Sequence, residues 1–225
     1  PDKVREFLDP LPVQRLWGVG KQSSQVFERL GIRTVGQLRR WPLDAILARF
    51  GCSGEHLWNL AHGRDDRAVV TEREAKSISH ETTFEWDIHD RDVLRAWLVD
   101  LVEQVACRLR QHGLRGRTVH LKVRFADFST ITRSQTIPEP SNITEELRQT
   151  ADEMLRERLP SDHLPVRLLG MGVSGLDDFS MVQGLLFDRE EREKQRRVDA
   201  VSDKIKEQLG PGALRRGAAH FGRQR

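Results

Sequence analysis

The run Arg117 to Phe125 alternates without a break. Val119, Leu121, Val123 and Phe125 are apolar, while Thr118, His120, Lys122 and Arg124 between them are polar. Successive side chains of a strand point to opposite faces, so this is a strand with one buried and one polar face. Ahead of it, Asp92 to Gln111 carries Leu94, Trp97, Leu98, Leu101, Val105 and Leu109 at helical spacing. A turn at Ala126-Asp127-Phe128-Ser129 leads to a second β-rich run, Thr130 to Ile137, closed by Pro138 and Pro140. Asn142 with Glu145 three residues on predicts a capping box for the next helix, striped by Ile143, Leu147, Ala151, Met154, Leu155 and Leu159. Short strands at Lys76 to His80 and Pro165 to Val173 complete the order strand, helix, strand, strand, helix, strand. That order predicts a ferredoxin-like α+β domain with a four-stranded, antiparallel-containing sheet. Its helices can cover one face, leaving Lys76, His80, Lys122, Arg124 and Ser and Thr side chains on the other. Such a face suits a phosphate backbone. It also suits plain water, and residue chemistry alone does not choose between them.

Residues 1 to 64 show no such alternation and read as a small all-helical unit. Its centre is Leu16-Trp17-Gly18-Val19-Gly20-Lys21-Gln22, where a short apolar segment ends in Gly-Val-Gly and a new helix starts at once. This predicts a tight hairpin between two helices. The helix after it presents unpaired N–H groups and the positive end of its dipole, which together favour an anion such as a DNA phosphate. An ordinary turn between packed helices is the plainer explanation, and Gly-x-Gly by itself fits both. Further on, Gly31, Thr34 and the apolar residues up to Leu38 repeat the stop-and-cap theme. Trp41-Pro42-Leu43 opens a helix with Ile46, Leu47 and Phe50 that Gly51 ends, and a last helix runs from about Glu55 to Ala61 before Gly63. The polar run 63–67 breaks the periodicity, so 65–72 reads as a linker, 73–176 as the α+β domain and 177–225 as a partly helical tail. In that tail, Gln183, Leu185, Leu186 and Phe187 form an apolar patch among charges, with Val198, Val201, Ile205 and Leu209 marking a final helix. The patch reads either as a short anchor for a groove on another protein or as a segment packed on its own domain.

Composition changes this picture only a little. The 37 Lys and Arg residues are nearly matched by 34 Asp and Glu, leaving a net charge of +3, so placement rather than total charge must identify a polyanionic partner. Two cysteines, Cys52 and Cys107, are too few for a disulfide framework. No apolar run approaches the roughly 20 residues that cross a bilayer, so a cytoplasmic protein is expected, with no membrane partner. The chain opens on Pro1 rather than Met, which leads to the expectation of a processed product or a fragment. Cys52, His56 and His62 are spaced loosely like a zinc site, but one cysteine and two histidines fall short of four ligands, and no bound metal is expected. The five Trp residues read as core rather than as stacking platforms.

Four stretches together carry a resemblance. They are Leu16-Trp17-Gly18-Val19-Gly20, Leu30 to Leu38, Gly63-Arg64-Asp65-Asp66-Arg67, and Lys76-Ser77-Ile78-Ser79-His80-Glu81-Thr82-Thr83-Phe84. From about Leu8 to Leu176 the chain resembles the C-terminal half of a Y-family DNA polymerase of the DinB (DNA polymerase IV) type. The resemblance implies a thumb over residues 1–64, a linker that crosses the DNA, and a little finger over 73–176. It implies that Gly18, Gly20, Lys21 and Gln22 hold phosphates of the primer-template duplex. Lys76, Ser77, Ser79, His80, Thr132, Arg133, Ser134 and Arg167 would do so from the little finger. It further implies that Gln183, Leu185, Leu186 and Phe187 bind the sliding clamp (the β subunit), although Gly184 stands where many such peptides have an aliphatic residue. Family members hold Mg2+ on palm carboxylates that precede the thumb. Nothing in this chain matches that palm, so no catalytic residue or metal is expected here. Asp177-Asp178 is expected to be a turn or cap instead. The parent would be a translesion DNA-directed DNA polymerase working at bacterial nucleoid DNA. The alternative is a non-catalytic adaptor that binds DNA and the clamp. A glycosylase would leave the split sheet unexplained, and an RNA-recognition module would need outward aromatics where Thr118, His120, Lys122 and Arg124 stand.

Overall fold

The computed structural model describes residues 3–71, 74–160, 165–178, 189–210, 212–214 and 216. The chain divides into two units, 1–72 and 73–225.

Among the described residues the first unit holds five α-helices, α1 (Val4–Leu8), α2 (Lys21–Arg29), α3 (Val35–Arg40), α4 (Leu43–Phe50) and α5 (Cys52–Ala61). Val13, Phe27, Ile32, Leu38, Ile46 and Leu57 close its core, with the Phe27 and Phe50 rings stacked at 4.6 Å. Before the hairpin there is no full helix, only a single 3-10 turn at Val13–Arg15. Proline has no N–H to donate, and Pro10 and Pro12 immediately precede this segment. The N–H of Val13 goes instead to the carbonyl of Arg33, and that of Val35 to Leu11, both at 2.9 Å. Thr34 caps α3 through a full capping box with Gln37. The bidentate pair of Arg39 with Asp9, with Nε to Oδ1 at 3.0 Å, ties α3 to the end of α1. As expected, glycines at positive φ stop α4 and α5: Gly51 at 56° and Gly63 at 72°.

The second unit contains β1 (Ser77–Ile88), α6 (Arg91–Gln111), β2 (Leu114–Phe125), β3 (Thr130–Ser141), α7 (Thr144–Glu157), β4 (Val166–Asp178) and α8 (Arg189–Leu209). The expected chain order holds. In space the order is β1-β4-β2-β3, and each of the three pairings is antiparallel. The stripe of α6 and that of α7 pack with Val119, Leu121, Val123 and Phe125 of β2 and Leu169, Met171 and Val173 of β4 in one core.

Three strands run past their expected ends, β1 reaching Ile88 rather than His80. β3 continues through Pro138 and Pro140, which an edge strand tolerates because one side of its backbone needs no partner. β4 continues past Gly175, so Asp177 and Asp178 are ladder residues opposite Arg115 and Leu114 rather than a turn or cap. The Arg115 guanidinium lies 3.3 Å from the Asp177 carboxylate. Asp127 is a hairpin residue, as expected, accepting from the N–H of Ser129 at 2.9 Å.

The capping box expected from Asn142 and Glu145 is absent. Asn142 donates to the carbonyl of Leu114, and Glu145 is engaged by Arg148. The N–H of Thr144 at the start of α7 is taken instead by Asp199 of α8, at 2.9 Å. Among the described residues no helix is long and apolar enough to cross a membrane.

Candidate nucleic-acid interface

The hairpin is set by Gly18, whose φ of 93° lies in the left-handed region that favours glycine. Two residues later Gly20 becomes the N-cap of α2 in extended geometry, with no side chain capping the helix and no acidic residue in its first turn. Helices leave their first N–H groups without intrahelical partners. At α2 the positive end of the dipole is therefore bare, and Lys21 adds a cation beside it. A Cβ built on Gly20 meets no atom within 4 Å, so the space beside this N-cap is open.

Trp17, just before the turn, is 72% exposed, and Trp86 is exposed as well; both depart from the expected core role. The turn carries Trp17 outside the core, where the ring rests edge-on against His56 at 6.1 Å. The His62 ring lies tilted against that of Trp58, with centroids 3.8 Å apart. Among the described residues Cys52, His56 and His62 form no metal-ligand group, and no three His, Cys, Asp or Glu side chains are grouped as metal ligands. The described residues do not fit a Mg2+ pair.

The second surface is the sheet face away from α6 and α7. Register assigns to it Ser77, Ser79 and Glu81 of β1, Gly170, Gly172 and Ser174 of β4, Thr118, His120, Lys122 and Arg124 of β2, and Thr130, Thr132, Ser134 and Thr136 of β3. The two glycines make its centre shallow. A Cβ on Gly172 would come 2.8 Å from the Ser79 side chain, and one on Gly170 2.9 Å from that of Glu81. Lys122 reaches across Gly170 to Glu81 at 2.8 Å, His120 Nε2 lies 2.6 Å from Ser174 Oγ, and Arg124 donates to Thr130 at 3.0 Å. Glycine at every second place in a strand is the sequence signal for such a trough, and Gly170-Met171-Gly172 carried it unread.

The expected DNA-contacting residues divide between the two faces. Ser77, Ser79, Thr132 and Ser134 stand together on the open one. His80 pairs with Met171 and Arg133 with Leu121, both core residues, so period-two alternation puts His80 and Arg133 on the helix-covered side. This corrects the grouping of His80 with Lys122 and Arg124. Lys76 is exposed just ahead of β1. Arg167 sits at an irregularity where the β2–β4 register shifts. It is bonded to both oxygens of Asp87, at 3.0 and 3.1 Å, and lies 4.7 Å from the Phe128 ring. Gln183, Leu185, Leu186 and Phe187 fall outside the described residues.

The model of the impB/mucB/samB family C-terminal domain matches residues 75–186, and that of the IMS family HHH motif matches residues 1–32. DNA polymerase IV of Desulfatibacillum aliphaticivorans is 36% identical over 215 residues, covering 95% of this chain and 54% of that protein. DNA polymerase IV of Methanoculleus marisnigri is 43% identical over 177 residues, covering 79% and 49%. Among solved structures, a Y-family DNA polymerase chimera, Dbh-Dpo4(243-245)-Dbh, shares the fold at a TM-score of 0.65 and 18% identity, covering 79% of this chain and 51% of its own. The chain thus spans about half the length of the relatives it matches.

Proposed function

The chain belongs to the impB/mucB/samB family of Y-family DNA polymerases, and from that premise we propose that it is the duplex-gripping half of a translesion DNA-directed DNA polymerase. The observation that carries this reading is the bare N-terminus of α2 behind the Gly18 turn. Backbone amides and a dipole end bind phosphate without reading bases, so the grip is indifferent to sequence, as an enzyme copying damaged templates requires. The open face of the sheet, with Lys122, Arg124 and four hydroxyls of β3, adds a second row of backbone contacts. Nucleotidyl transfer and the Mg2+ ions that serve it belong to the part of the relatives this chain does not match. Gln183, Leu185, Leu186 and Phe187 tether the polymerase to the sliding clamp.

Fluorescence anisotropy of the chain with labelled primer-template duplex, over a salt series, tests the grip. Binding should be insensitive to sequence, and log K should fall linearly with log salt at about 0.9 per phosphate neutralised. Tighter binding to single-stranded RNA, or no duplex binding at low salt, rules the reading out.

A further inference from the structure

The exposed indole of Trp17 and the charged segment after α5 form a cluster that the hairpin amides do not account for. The Arg67 guanidinium carbon lies 4.9 Å from the centroid of the Trp17 ring, within cation–π range. Its Nε and Nη2 each donate to an oxygen of Asp65 at 2.7 Å. That hydrogen bond holds the Asp65 carboxyl down to about 2, so the pair is fully ionised near neutrality. Both side chains remain open to water, at 52% and 40% exposure. An exposed ion pair adds little net stability and exchanges readily with another anion. At about 3.8 Å per residue, the Cα of Trp17 lies within roughly 11 Å of that of Gly20.

We propose that Arg67, held over the Trp17 ring, is a further phosphate-binding residue of the hairpin, and that Asp65 occupies its guanidinium until a DNA phosphate replaces it. The inference rests on the DNA-gripping reading above. A guanidinium fork fits carboxylate and phosphate with the same two parallel bonds, so one anion can replace the other without moving the arginine. The Trp17 ring orders Arg67 before DNA arrives, which lowers the entropy lost on binding. Asp65 works in the opposite direction. It competes for the guanidinium and must be displaced, so the pair sets how strongly the hairpin holds DNA.

The test uses the whole chain and the same labelled duplex. Arg67→Ala should weaken binding by about tenfold and make the log–log salt slope shallower by about 0.9, the value of one phosphate contact. Asp65→Asn should tighten binding at low salt, by about threefold, and a variant that had lost its fold could not do so. An unchanged slope in Arg67→Ala, or no gain in Asp65→Asn, overturns the proposal while leaving the hairpin grip standing. A wild-type chain that binds no duplex at low salt overturns both.

Discussion

At the scale of single residues, the hairpin separates two roles that Gly-Val-Gly presents as one. Gly18 is needed for its backbone: at φ 93° a side chain is strained although its Cβ would sit an ordinary 3.7 Å from Leu57. Gly18→Ala should therefore cost about 1 to 2 kcal/mol of stability, read by denaturant titration. Gly20 has ordinary backbone angles and empty space before it. Serine is at least as good an N-cap as glycine, so Gly20→Ser should leave stability unchanged or raise it by a few tenths of a kcal/mol. Its hydroxyl would sit on the amides that the phosphate needs, and duplex affinity should fall about tenfold, or ~1.4 kcal/mol. Loss of stability without loss of binding in Gly20→Ser would refute the assignment of those amides to DNA. In Gly-Val-Gly the two glycines carry equal weight because backbone angle is not written in residue type. Arg67 was likewise legible only as part of a polar run, since its partner Trp17 is 50 residues away.

At the scale of elements, α8 is joined to the sheet unit through charge. Asp199 is 2% exposed and accepts from the N–H of Thr144, from Arg110 at 3.2 Å and from Arg216 at 3.0 Å. Asp203 takes the other edge of Arg110 at 2.6 and 2.9 Å, Lys206 reaches Glu103 at 2.7 Å, and Arg192 reaches Glu139 and Glu146. Val198, Val201 and Leu209 of α8 stay exposed. The apolar spacing that predicted this helix was thus right about its existence and silent on which face docks. Removing one partner of a buried pair leaves the other uncompensated, and a lost cap adds its own cost. Asp199→Ala should destabilise the unit by about 2 to 4 kcal/mol, whereas Asp199→Asn, which keeps an acceptor for Thr144, should lose about half as much. Equal melting temperatures for all three proteins would show that α8 contributes nothing to the fold. Alternation in β2 and the stripes of α6 and α7 were readable because they repeat locally. The cap of α7 was not, because it comes from 55 residues downstream, and the far ends of β1 and β3 depend on distant pairings, Ile88 with Val166 and Ser141 with Gly116, beyond a register irregularity.

At the scale of the whole molecule, each unit closes its own core, one around Phe27, Ile32 and Leu38 and the other around α6, α7 and the sheet. In the proposed reading each also offers phosphate its own surface, the α2 N-terminus in one and the open sheet face in the other. Two modest grips become one strong grip when a chain joins them and both reach the same duplex, because the second contact forms at high effective concentration. Residues 64–76, thirteen in number, can span at most about 45 Å when extended. That exceeds one turn of duplex, roughly 34 to 36 Å, so the connection permits simultaneous engagement. Pieces comprising 1–72 and 73–225 should each bind primer-template weakly, and their mixture no better than the stronger piece. The joined chain should bind about a hundredfold more tightly than either, with a salt slope close to the sum of the two. The slope is the sharper discriminator, because it counts phosphates rather than total energy. If the joined chain shows the slope of one piece alone, only one unit touches DNA, and the shared-grip account fails even where the affinity is high.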